Sequence, residues 1–271
     1  MRCDGRTVVV KLGGSLITLK QKALTCRRRV VARLAEEIYE AWSSGVRLVL
    51  IHGGGSYGHY VAMHELKTKG ALTTGSIPQI ARTMRELNSI IVKELEKHGL
   101  PVVVFPPSSF CITDCTSYKV ECNFTSVIKS FEAGHLPVLY GDITYPDGMC
   151  EPRIVSGDEL ALSLADIIRP DIVVFAMDVK GVLERKRSGK EWVISKVNLS
   201  RLEEIAKRLG KGSSGVYDVT GGIASKLELI ERHLKRGLSS PVILTTGLLR
   251  GNLKRVLAGQ GKYVGTLITR D

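Results

Sequence analysis

Thr7-Val-Val-Val-Lys-Leu-Gly-Gly-Ser15 sets a β-branched run directly against a glycine pair. Three consecutive valines favour an extended, buried strand, and Gly13-Gly14 ends it in a loop whose backbone can approach its neighbours closely. A lysine one residue before the end of such a strand is out of place in a core.

The same grammar repeats along the chain. Short apolar runs at Thr7–Leu12, 47–51, 101–105, 138–140, 172–176, 242–245 and 266–269 alternate with segments of helical period at 27–44, 77–98, 126–133, 157–168, 199–209, 222–236 and 253–257. That alternation predicts an α/β fold with an open, mainly parallel sheet sandwiched between helices in three layers. No helix is assigned between the second glycine loop and Ile77. Gly45, Gly99, Gly134, Gly210 and Gly237 follow the last periodic residue of five helices and are read as C-terminal caps. Two short stretches, 117–121 and 153–155, are expected to form hairpins. With no repeat or linker, the 271 residues are expected to make one domain, with a soft boundary near 155–157 between lobes 1–156 and 157–271.

Hydrophobic residues make up 44% of the chain, enough for a large core. The apolar runs stop well short of the ~20 residues that span a bilayer, and Met1–Lys11 lacks the features of a secretory leader. A cytoplasmic protein with no membrane partner is expected. Thirty-nine Lys and Arg against 27 Asp and Glu leave a net charge of +12, which favours anionic partners. The clusters Arg27–Arg29, Arg185–Arg187 and Lys207–Lys211 lack interleaved aromatics, so they are read as solvated surface and not as a nucleic-acid groove. The six cysteines contain no C-x-x-C pair. Free thiols are expected, with a metal site at Cys111, Cys115 and Cys122 as the alternative.

Three glycine-rich loops carry the chemistry: Lys11-Leu-Gly-Gly-Ser15, His52-Gly-Gly-Gly-Ser-Tyr-Gly-His59 and Val219-Thr-Gly-Gly-Ile223. Glycine lets backbone N–H groups close on phosphate, and a following helix adds a favourable field. Neither a G-x-x-x-x-G-K-[ST] loop nor a protein-kinase catalytic loop is present. Taken in order with Tyr140-Gly-Asp142, Ser156-Gly-Asp158, Met177-Asp-Val-Lys-Gly-Val182, Asp218-Val-Thr-Gly-Gly222 and Lys226, the motifs resemble the amino acid kinase family over nearly the whole chain. The continuation Ser56-Tyr57-Gly58-His59 is similar to that of isopentenyl phosphate kinases, and a histidine here is shared with fosfomycin kinases.

That resemblance implies ATP-dependent phosphorylation of isopentenyl phosphate, a small-molecule substrate, with Mg2+ accompanying ATP, no metal held by protein ligands, and a homodimer. It implies substrate-phosphate binding in the N-terminal lobe and ATP binding in the C-terminal lobe. Lys11, Gly13, Gly14, Ser15, Gly55, Gly222 and Lys226 would meet ATP phosphates, while Asp178 and Gly181 frame the nucleotide pocket. Lys20 would stabilise the transferred group, although Leu19 departs from the polar residue many relatives carry before that lysine. Asp158 would hold the lysines in place, and Gly54, His59 and Gly157 would bind the substrate phosphate. Asp142 would orient the site or help hold magnesium indirectly, with turn residues as the alternative both for it and for the Asp178–Gly181 loop, whereas His52 is read as a satisfied core histidine. Ile80, Met84, Leu87 and Ile91 form a stripe read as core packing, with an apolar tail pocket as the alternative. Two other readings are weighed: a phosphonate kinase, and a non-catalytic protein of the same fold that binds nucleotides or nucleic acid.

Overall fold

The computed structural model describes residues 5–185, 191–210 and 222–271. Cys3, Lys186, Arg187, Lys211 and Asp218–Gly221, all singled out in the sequence, lie outside the described residues.

An eight-stranded sheet forms the middle layer. Its strands in chain order are β1 (Thr7–Leu12), β2 (Arg47–His52), β3 (Val102–Val104), β4 (Leu136–Tyr140), β5 (Ile172–Met177), β6 (Lys196–Asn198), β7 (Val242–Thr246) and β8 (Gly265–Thr269). Spatially they run β6-β8-β7-β5-β1-β2-β4-β3, and every pairing is parallel except β7 with β8. The chain builds β2, β3 and β4 on one side of β1, then crosses to place β5, β7, β8 and β6 on the other. β1 is therefore flanked by the two directions of winding, and ligands of open α/β sheets bind at the carboxyl end of such a switch point.

Nine helices occur among the described residues: α1 (Gly14–Ile17), α2 (Arg28–Ser43), α3 (Gly55–Lys69), α4 (Ile77–Glu96), α5 (Thr125–Glu132), α6 (Gly157–Ile168), α7 (Leu199–Gly210), α8 (Ile223–Arg236) and α9 (Asn252–Ala258). The pleat of β1 divides its side chains between the two faces. Val8, Val10 and Leu12 join a core beneath α2, α4 and α9, while Val9 joins Ile51, Phe175 and the α6 and α8 leucines in the opposite core. Alternation puts Lys11 on the same face as Val9, toward α6. A third cluster gathers Val61, Leu72, Ile80, Met84, Tyr140 and Ile143. The α4 stripe is thus split: Leu87 and Ile91 pack on the sheet, whereas Ile80 and Met84 turn toward α3.

Four expectations are corrected. Gly55–Lys69 is a helix of 15 residues that the apolar pattern does not announce, because its buried positions include Ser56 and Glu65 among Tyr57, Val61 and Ala62. Glu65 is satisfied locally, accepting from Lys69 and from the Ser76 hydroxyl, each at 2.6 Å. Gly210 is the last residue of α7, while Gly45, Gly99, Gly134 and Gly237 take positive φ just past their helices as caps do. Strand β6 and the hairpin Leu183–Arg185 with Glu191–Val193 occupy sequence whose pattern reads as connection.

The fourth correction concerns the cysteines. Cys111–Cys122 and Cys115–Cys150 are disulfides, and Cys26 is the free thiol among the described residues. Cys111–Asp114 and Lys119–Cys122 pair antiparallel, which sets Cys111 directly opposite Cys122 with their Cα atoms 4.0 Å apart. The second bridge ties the turn of that hairpin to the loop after Tyr145–Pro146, itself paired with the hairpin. No group of His, Cys, Asp and Glu able to hold a metal occurs among the described residues.

Candidate active site

Hydrogen bonds carry the sheet past its strands at the carboxyl edge. Gly13 N donates to Ala176 O at 2.8 Å, Gly53 N to Leu12 O at 2.9 Å, and Gly141 N to His52 O at 3.0 Å. The first two glycine loops then lie backbone against backbone. A Cβ on Gly14 would fall 2.3 Å from Gly55 N, and one on Gly53 would fall 2.8 Å from Gly14 N. Gly55 adopts φ +48°, and a Cβ there would meet the Thr18 hydroxyl at 2.0 Å. Glycine is required by this contact before any ligand is considered.

Thr18, which no sequence motif marks, pins the two loops together. Its fully buried hydroxyl donates to Gly14 O at 2.8 Å and accepts from Ser56 N at 2.9 Å. The turn between Thr18 and Cys26 is anchored on the same helix end, since Thr25 N donates to Ser56 Oγ at 3.2 Å. Lys20 stands exposed on that turn, and His59 is half-buried in α3, just past its first turn.

Opposite these loops, α6 begins at Gly157 with Ser156 as its N-cap, the Ser156 hydroxyl accepting from Glu159 N at 3.0 Å. Asp158 in its first turn faces the Lys11 side of the sheet. Lys11 Nζ lies 2.8 Å from Asp158 Oδ1, and Lys226 Nζ, from the first turn of α8, donates to Oδ2. Each of the three side chains is about nine-tenths buried. The Lys226 ammonium also lies 4.7 Å above the centre of the Phe175 ring. Burial alone would push the Asp158 carboxyl up, but attraction by Lys11 and Lys226 and their hydrogen bonds outweigh it and hold it well below the usual range. The triad carries one net positive charge in a poorly solvated place, which suits an incoming polyanion.

The other expected residues are distributed as follows. Ser15 Oγ donates to Asp178 Oδ1 at 2.8 Å, joining the first glycine loop to the loop after β5. Gly181, at φ +134°, lies against β8, where a Cβ would be 2.7 Å from the Thr266 hydroxyl. Gly222 is the exposed N-cap of α8. Gly54 caps α3, and Gly157 packs so tightly that a Cβ would fall 3.2 Å from His52 O and 3.3 Å from Lys11 Cε. Asp142 is buried at the end of β4, and burial raises its carboxyl, with Oδ1 accepting from its neighbour Ile143 N at 2.9 Å. His52 is fully buried between Gly53 O and Asn88 Nδ2, each 3.1 Å away, and stacks on Tyr140; burial brings its imidazole down to about 4.

Sequence reasoning also missed Glu37. This buried carboxylate in α2 accepts from Arg33, from Gly251 N at 2.9 Å and from Lys254 N at 3.1 Å, while Arg33 also donates to Gly247 O. The loop after β7 is held at the site edge by these bonds. No local motif announces the bonds to Gly251, Lys254 and Gly247, because these partners are distant in sequence.

The sequence profile of the amino acid kinase family matches residues 6–244. The chain belongs to the amino acid kinase family. Among the relatives within it, the isopentenyl phosphate kinase of Methanocaldococcus jannaschii is 29% identical over 263 residues, 93% of this chain and 95% of the relative. That of Haloferax volcanii is 31% identical over 221 residues, 81% of this chain and 85% of the relative. An X-ray structure of isopentenyl phosphate kinase superposes with a TM-score of 0.77 at 23% identity, covering 97% of this chain and all of that one. In this amino acid kinase the loops at β1 and β2 and the first turns of α6 and α8 lie at the carboxyl edge of the sheet.

Proposed function

We propose that the chain transfers the terminal phosphoryl group of ATP to isopentenyl phosphate, giving isopentenyl diphosphate and ADP. The observation that carries the reading is the Lys11–Asp158–Lys226 triad at the switch point, where two glycine loops and the first turns of α3 and α6 converge. The relatives named for this activity match over most of their length.

Phosphoryl transfer asks a protein mainly to position two anions and to neutralise charge as it spreads over the moving group. ATP supplies the phosphoryl group. Lys11 and Lys226 meet its phosphates from two elements, and Asp158 keeps both ammonium groups aimed. Gly13, Gly14, Ser15, Gly55 and Gly222 provide backbone and hydroxyl donors, with Asp178 and Gly181 bordering the nucleoside. The acceptor phosphate is held by Gly54 and His59 at α3 and by Gly157 at α6, two helix starts whose fields favour an anion. Lys20, on its exposed turn, closes on the transferred group. An acceptor phosphate is already ionised near neutral pH, so no general base is needed.

Asp158 is engaged by two lysines, and no metal-holding cluster occurs among the described residues, so Mg2+ would arrive on the nucleotide. No helix among the described residues is long and apolar enough to cross a membrane. We read the chain as a cytoplasmic homodimer, as the family resemblance implies.

The test is ADP release with ATP and Mg2+ against isopentenyl phosphate, dimethylallyl phosphate, fosfomycin and acetylglutamate, comparing wild type with His59→Ala. Turnover of isopentenyl phosphate that collapses in the variant supports the proposal. Turnover of fosfomycin alone replaces it with a phosphonate kinase, and no turnover replaces it with a binding protein.

A further inference from the structure

Helices α6 and α8 pack side by side, both starting at the carboxyl edge of the sheet, and side chains join them at two levels. Asp158 and Lys226 make the first. At the second, His233 Nδ1 lies 2.7 Å from Asp166 Oδ2, and its Nε2 lies 3.9 Å from Glu159 Oε1. His233 is 2% exposed, and its Nε2 has no hydrogen-bond partner. A spacing of seven residues puts His233 on the same face of α8 as Lys226, two turns further on. On α6, Glu159 and Asp166 are likewise seven residues apart and share a face, and Glu159 directly follows Asp158 in the chain.

We propose that His233 is a positioning residue for Lys226: through its bridge to Asp166 and Glu159 it fixes the roll of α8 on α6 and so keeps the Lys226 ammonium aimed at the nucleotide phosphates. The claim rests on the kinase reading above. Neutral His233 can donate from Nδ1 to Asp166, which leaves Nε2 bare. A proton on Nε2 supplies the missing donor toward Glu159, converting one bond into a two-sided clamp.

The charged surroundings favour that proton. Burial lowers the imidazole pKa, but Glu159 and Asp166 together raise it above its ordinary 6.5. On α8 itself, Arg232 and Arg236 attract Glu159. α7 packs on α8 as well, and its charged residues with described side chains are Arg201, which reaches Glu184, and exposed Glu204. A group whose folded pKa is raised contributes its full clamp below 6.5 and loses it as pH climbs through the raised value. Nucleotide affinity is therefore expected to weaken over that climb.

The experiment has two arms. In the first, KM for ATP and kcat are measured across pH for wild type, His233→Gln and Asp166→Asn. Wild-type KM is expected to rise several-fold as the imidazole deprotonates, by about tenfold if a charge-assisted bond is lost entirely. His233→Gln should show the raised KM at every pH. A variant that merely melts earlier and keeps the wild-type pH profile makes His233 a structural brace and overturns the proposal. In the second arm, the His233 imidazole is titrated by NMR with and without ADP and Mg2+. Linkage is reciprocal, so nucleotide must raise the pKa of a group whose proton favours nucleotide. An unmoved titration, or no binding of ADP, overturns the proposal. If ADP shifts the titration while no acceptor is phosphorylated, the kinase reading fails and the positioning role stands.

Discussion

Lys11 and Asp158 are joined by a 2.8 Å ion pair although one lies next to last in the first strand and the other second in the sixth helix. The pair closes the switch point of the sheet, and Lys226 completes it from α8. A buried charge left without its partner is costly, so the three groups act as a unit. Replacing Asp158 by Asn is expected to lower kcat/KM for ATP by about 10²-fold or more, because both lysines lose the group that aims them. The unfolding free energy should fall by about 3 kcal/mol as two buried ammonium groups are left facing each other. Steady-state kinetics and denaturant unfolding on the same preparation check both. Because the lysines depress the Asp158 carboxyl, its stabilisation is present above its ordinary 3.8 and is lost only as pH falls through the depressed value. No acidic limb from Asp158 should appear in the neutral range.

Gly157 lies where the same unit is most sensitive to volume. A Cβ there would come within 3.2 Å of Ile51 Cγ2 and 3.3 Å of Lys11 Cε. Gly157→Ala is expected to push Lys11 off Asp158, costing about 1–3 kcal/mol of stability and more in turnover. Gly148→Ala is the control, since its Cβ would make only an ordinary 3.6 Å contact with Cys115 Sγ. Equal losses in both variants would show that packing at Gly157 is not specific to the lysine.

The sheet was legible because it is written locally, and the triad because its residues stand in motifs that resemble those of the family. Continuous β-branched runs announce buried parallel strands, and Lys11, Asp158 and Lys226 each stand beside a glycine-rich strand end or helix start. Helix α3 was not legible, because Glu65 and Ser56 occupy its buried face and break the apolar stripe. Thr18, Glu37 and His233 were illegible for a different reason. Their partners lie on other elements, so only the packed fold brings them into contact. The disulfides failed by register: eleven residues separate Cys111 from Cys122, and it is the hairpin pairing, not the spacing, that makes them face each other.

His52 separates a core histidine from a catalytic one by its pH response. It is wholly buried against Asn88 and Tyr140, and its imidazole is brought down to about 4, chiefly by burial. A histidine kept neutral in the fold contributes stability that is complete above 6.5 and is lost as pH falls toward 4. The loss over that window is of order 3 kcal/mol. Denaturant unfolding of wild type and His52→Gln between those limits checks it: the variant should show a flatter dependence, and parallel curves would assign the pH response to other groups.

The two disulfides divide a stability effect that a single reducing agent would merge. In the chain-entropy account the bridge between Cys115 and Cys150, with a sequence separation of 35, is worth about 4 kcal/mol, and the one between Cys111 and Cys122, with a separation of 11, about 3 kcal/mol. Cys111 is 1% exposed, whereas both sulfurs of the longer bridge belong to half-buried residues at a turn and a loop. A dithiol is therefore expected to open Cys115–Cys150 first, converting it to two thiols as the dithiol is oxidised. Thiol labelling with mass spectrometry at graded dithiol concentration gives the order. The first reduction should lower Tm and loosen the 145–153 segment, which leads directly into Val155, Ser156 and the start of α6. Cys115→Ser with Cys150→Ser should reproduce that first step without reductant. Labelling of Cys111 and Cys122 ahead of Cys115 and Cys150 would reverse the expected order.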